Sequence, residues 1–156
     1  MIAQIKGKLV EKHPTHVIID CNGLGYMVHI SLHTFGQLGA DESIKLFTHL
    51  QVKEDSHTLF GFFQPIERTV FRLLISISGI GASIARTMLS SMSPQEIQHA
   101  ILSENLAAIK GVKGIYGGGW IKSLQRALKE YNIELGIAFY SRHLSESFTY
   151  EGTTYY

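Results

Sequence analysis

Cysteine is almost missing from this chain: Cys21 is the single example in 156 residues, so no internal disulfide and no multi-cysteine metal centre can form. One thiol of this kind fits a reducing compartment, and the expectation is a half-buried side chain in a cytoplasmic protein. Long apolar runs are missing as well, none approaching the ~20 residues that span a bilayer, so no membrane partner is expected. The opening Met1-Ile2-Ala3-Gln4-Ile5-Lys6 lacks the charged-then-apolar order of a secretory signal. The eight histidines are scattered, and no pair has ligand spacing beside carboxylates or cysteine. That argues against zinc. No Gly-x-x-x-x-Gly-Lys-Ser/Thr phosphate loop occurs, and no cofactor is expected. Net charge is scarce too, at +1.

That small total hides a gradient. Residues 1–62 carry a net −1, residues 63–130 a net +4 and residues 131–156 a net −2. A basic middle segment suits phosphate neutralisation, although chance clustering of solvated charges gives the same count.

Up to Phe62 the pattern is of short strands: Ile2 to Val10, Thr15 to Ile19 after the Pro14 turn, Tyr26 to Ile30 after Cys21-Asn22-Gly23-Leu24-Gly25, Ile44 to Val52, and His57 to Phe62. Five strands with turns between them predict a small closed barrel. From Gln64 the period becomes helical, with Ile66, Val70, Phe71, Leu73, Leu74 and Ile77 on one face and Pro65 in the opening turn. Ala82 to Ser91 reads as a second helix, and Ser93-Pro94-Gln95-Glu96 as the capping box of a third. Asn105 to Ile109 and Ile121 to Tyr131 complete the helical set. The fold class is therefore α+β, with a barrel over 1–62 and helices over 63–130. Residues 131–156 hold five of the seven tyrosines and little periodicity, and are expected to be poorly ordered or ordered only against a neighbour.

Ile77-Ser78-Gly79-Ile80-Gly81 recurs in altered form about 35 residues on, as Val112-Lys113-Gly114-Ile115-Tyr116-Gly117. Each copy follows an apolar helical run and precedes another helix, as in a helix–hairpin–helix that grips a nucleic-acid backbone. The apolar residue between glycines pins the hairpin, the glycines supply positive φ and let a phosphate approach, and the opening N–H groups of the next helix point at the anion. A plain helix-connecting turn can use the same residues, so the pattern alone leaves both readings open.

Leu59-Phe60-Gly61-Phe62, Glu67-Arg68, Phe71-Arg72-Leu73-Leu74 and Ser78-Gly79-Ile80-Gly81, following the turn Val52-Lys53-Glu54-Asp55-Ser56, resemble the RuvA family of bacterial Holliday-junction-binding subunits. The resemblance runs from Met1 to about Lys113. It implies an OB-fold barrel followed by tandem helix–hairpin–helix motifs, and a homotetramer that holds four-way junction DNA open in recombination and repair. It also implies a hexameric AAA+ ATPase partner of the RuvB type and a junction resolvase, with no catalysis by the chain itself.

By the same resemblance, Glu54 and Asp55 stand where the family has its acidic pin, with Lys53 beside it holding a backbone. Gly79, Gly81 and the amides of Ala82 and Ser83 would take a phosphate at the first hairpin. Ser83 replaces the family's common lysine, and Arg86 stands one turn on. In the second hairpin Lys113, Gly114, Gly117 and Gly119 lead to Lys122 and Arg126, after several residues more than the family pattern. The family's usual ATPase-binding third domain has no counterpart in residues 131–156. Two other classes stay open from the residues: a protein-interaction module, and a metal-dependent junction nuclease built on Glu54 and Asp55.

Overall fold

The computed structural model describes residues 1–39, 43–102, 148–150 and 153–155. Strands β1 (Gln4–Lys12), β2 (His16–Cys21) and β3 (Leu24–His29) form a meander. Its second turn is the pair Asn22 and Gly23, with φ of 56° and 89°. Two consecutive left-handed residues give the tight hairpin whose twist suits antiparallel strands, and Asp20 Oδ1 accepts from the Gly23 amide at 2.6 Å. A short helix α1 (Leu32–Gln37) then leads to β4 (Ser43–Val52) and β5 (His57–Phe62). The strands close in the order β1-β2-β3-β5-β4, with β1 bent by a register shift between Leu9 and Glu11 so that it pairs with both β2 and β4. This is the expected five-stranded barrel. Alternate residues point inward, and Val17, Ile19, Val28 and Leu46 are fully buried there.

Helices α2 (Pro65–Ile75), α3 (Ala82–Ser91) and α4 (Pro94–Leu102) follow, close to the expected bounds. The capping box forms as read: Glu96 N–H donates to Ser93 Oγ at 3.2 Å, and Ser93 N–H to Glu96 Oε2 at 2.7 Å. Phe60 and Phe62 alternate to the outside of β5 and join Phe71, Leu74, Ala85, Met88 and Leu89 in a second core. Phe71 is its centre, with ring centroids 5.0 Å from Phe60, 4.9 Å from Phe62 and 5.6 Å from His49. The helices therefore sit on the outer face of β4 and β5.

α1 was not anticipated, because six residues are too few to show a period. It is stitched to the helical layer by polar groups. Ser31 caps it, accepting from the Thr34 amide at 3.0 Å, and Leu32 N–H reaches Ser90 Oγ at 3.0 Å. The fully buried Glu67 carboxylate accepts from the Ser31 and Thr34 hydroxyls, the latter at 2.6 Å. Burial pushes the Glu67 carboxyl above the usual range, with those two hydroxyls pulling the other way. An acid whose pKa is raised on folding subtracts stability above its folded pKa, and that penalty vanishes as pH falls toward the unfolded value. Wild-type protein should therefore gain stability relative to Glu67→Gln as pH drops from about 7 to about 5. Paired urea titrations check this; a constant difference across the window would contradict it.

In the C-terminal segment β6 (Phe148–Tyr150) pairs antiparallel with β7 (Thr153–Tyr155). This local ladder was not read from the sequence, because three-residue strands leave no periodic trace. The helices expected over 105–109 and 121–131 lie outside the described residues.

Candidate nucleic-acid interface

The chain between α2 and α3 turns sharply. Ile77 N–H bonds Leu74 O and Ile80 N–H bonds Ile77 O, at 3.2 and 3.0 Å. Gly79 takes φ +94°, a conformation glycine adopts without penalty, while Ile80 is driven into the helical core at 4% exposure. The pinning role of the apolar residue is as expected. The expectation for Gly81 needs correction: its φ is −84° and ψ 167°, open to any residue. A Cβ placed at Gly81 meets nothing within 4 Å, so the space there would admit a side chain.

Gly81 is the N-cap of α3. No side chain caps this helix and no acidic residue lies in its first turn, whereas α1 and α4 are both capped by hydroxyls. The first intrahelical bond is from Ala85 N–H to Gly81 O, so the amides of Ala82, Ser83 and Ile84 precede it and have no partner within the helix. Donors and helix dipole there favour an anion.

A cleft of about 310 Å³ opens at this terminus. The helix contributes Gly81, Ala82, Ser83 and Arg86; the barrel contributes His29, Gln51, Lys53, Thr58 and Phe60. Five of the residues read from the sequence thus come together: Lys53, Gly81, Ala82, Ser83 and Arg86. Arg86 reaches the barrel: its Nη1 donates to Thr15 O at 3.1 Å and meets His29 Nδ1 at 3.4 Å. Burial, then Arg86, then His16 hold the His29 pKa below its ordinary value.

Glu54 and Asp55 stand exposed at the tip of the β4–β5 hairpin, next to Lys53. The turn is closed by Lys53 N–H to Ser56 O at 2.8 Å, and Ser56 Oγ donates to Asp55 Oδ1 at 3.3 Å. Lys113, Gly114, Gly117, Gly119, Lys122 and Arg126 lie outside the described residues. Among the described residues no three His, Cys, Asp or Glu side chains converge as metal ligands, and no helix is long and apolar enough to cross a membrane.

The sequence reading missed His29, Gln51 and Thr58. Gln51 faces Thr58 across β4–β5 and His29 faces Phe60 across β3–β5. Only strand register brings these residues to the cleft. The one available signal was that Gln51, near the end of β4, lies two residues before Lys53.

Residues 1–61 match the family described as RuvA N terminal domain, and residues 71–126 match the SAM-like helix-hairpin-helix tandem. The second match spans both glycine hairpins. Curated relatives carry the name Holliday junction branch migration complex subunit RuvA. The protein of Christiangramia forsetii is 58% identical over 115 residues, covering 74% of this chain and 60% of the relative. That of Flavobacterium psychrophilum is 57% identical over 128 residues, covering 82% and 64%. That of Paraburkholderia phymatum is 43% identical over 137 residues, covering 87% and 69%. The chain thus spans roughly three fifths of the length of the first two. With barrel order, glycine hairpin and both matches agreeing, this chain belongs to the RuvA family.

Proposed function

We propose that this protein binds four-way junction DNA by its backbone, without reading sequence, and holds the junction open as a homotetramer. The observation that carries the reading is the uncapped α3 N-terminus, opening into a cleft with Lys53 and Arg86 beside an exposed pair of carboxylates. Free amides and cations take a phosphate. The acids at Glu54 and Asp55 repel phosphates, so four copies around a symmetry axis would part the strands and turn them into the arms. The second hairpin, with Lys122 and Arg126, would hold the backbone further along each arm. The chain itself performs no chemistry in this reading. A RuvB-type hexameric ATPase supplies the force for branch migration and a junction resolvase the cleavage, both in recombination and repair in the cytoplasm.

Phosphate contacts make affinity fall steeply with salt, and arm geometry makes it selective for junctions. Competition between a four-way junction and a linear duplex of identical sequence tests this. The junction should win, and its advantage should persist when the sequence is changed. Equal affinity for both would defeat the proposal. Metal-stimulated cleavage of the junction by the purified chain would instead revive a nuclease built on Glu54 and Asp55.

A further inference from the structure

We propose that His29 is a positioning residue for junction binding: it decides whether Arg86 is held on the barrel or released to a phosphate, so that binding takes up a proton at this ring. The inference rests on the junction-binding reading above. Arg86 lies one turn beyond Gly81–Ser83 yet points back to the barrel, donating to Thr15 O and meeting His29 Nδ1. A guanidinium has only donors. His29 Nδ1 must therefore present a lone pair, which places the proton of the neutral ring on Nε2. Protonation of Nδ1 sets two donors and two positive charges against one another. The His29 contact opens, leaving only the Thr15 carbonyl to hold Arg86 against the pull of a phosphate in the cleft.

Among the described residues, the charged groups that act on this ring, Arg86 and His16, both disfavour its protonated form. From β2 comes His16, with centroids 6.3 Å apart, and behind it His13, stacked on His16 at 4.7 Å and paired with Glu11. From α3 comes Arg86, from β5 the Phe60 ring at 5.9 Å, and from the β4–β5 turn Lys53, which lines the same cleft. No carboxylate is among the residues lining that cleft. Burial, then Arg86, then His16 all disfavour the charged ring. A phosphate at the α3 N-terminus supplies the missing negative charge. It favours imidazolium and draws off the released guanidinium, so both changes strengthen its binding.

The His29 pKa is depressed in the free chain and rises when phosphate occupies the cleft, so between the two values affinity increases as pH falls. The limit is about tenfold per pH unit for each His29 engaged. Calorimetry on the full chain with a four-way junction, in buffers of differing ionisation enthalpy at about pH 7, counts the protons. Uptake should be clear in wild type and reduced in His29→Asn, whose side-chain oxygen accepts from Arg86 without titrating. His16→Asn should keep it. Uptake unchanged in His29→Asn overturns the proposal. Nitrogen-detected NMR of wild type needs no variant: Nδ1 should be unprotonated in the neutral ring, and the Arg86 side-chain signal should shift with the His29 midpoint. An Arg86 signal indifferent to that titration overturns the latch, whatever the DNA does. A chain that shows the latch but binds no junction at any pH defeats the function reading, and the proton coupling with it.

Discussion

Gly81→Asp should fold normally, melt no lower than wild type, and lose its hold on a four-way junction. The backbone at this position is ordinary extended chain and the space around a new Cβ is empty, so the substitution brings no strain. Aspartate is a strong N-cap, and relative to glycine it adds a few tenths of a kcal/mol by accepting from the orphan amides of α3. A carboxylate at the positive end of the dipole contributes roughly 0.3–1 kcal/mol more. The same carboxylate occupies the place proposed for the phosphate and repels it. Junction affinity should drop at least about tenfold, the scale of one lost charge-assisted contact (about 1.5–3 kcal/mol). Thermal melts and gel shifts on one preparation read the two opposite effects. Undiminished binding would remove α3 from the interface. Gly79→Ala is the contrasting case: at φ +94° it pays a backbone penalty of about 1–2 kcal/mol.

Phe71→Ala should cost about 3–5 kcal/mol of unfolding free energy, the range for emptying a buried aromatic site. Phe71 is 0% exposed and touches the rings of Phe60, Phe62 and His49. Those neighbours belong to the barrel, while Phe71 belongs to α2, so the loss falls on both layers. In urea, the midpoint should move to lower denaturant for strand and helix signals alike. If helix signal shifted and strand signal stayed, the two cores would be independent and this account of their packing wrong.

Much of this architecture was readable because its signals are local. Pro65 and the apolar spacing of Val70, Phe71, Leu73 and Leu74 placed α2, and Ser93 with Glu96 announced α4 through a contact three residues long. The Asn22–Gly23 hairpin was visible as a turn for the same reason. Phe60 and Phe62 belong to a strand by sequence, but nothing local says that they face outward under a helix rather than into the barrel. The site divides in the same way. Gly79, Ile80 and Gly81 were legible as a hairpin, yet both glycines were credited with positive φ when only Gly79 has it. Arg86 was identified without its partners, because Thr15 and His29 are 71 and 57 residues away in sequence. Glu67 was visible only as a family motif. Its burial depends on hydroxyls from α1, an element too short to foresee.

The outward turn of Phe60 and Phe62 matters during synthesis. The ribosome releases the strands first, so for a moment the nascent barrel carries an oily seat with no rider. Aromatic rings bared in that interval invite chaperones and also neighbouring nascent chains. Pro65, three residues past Phe62, begins the first of the helices that cover them.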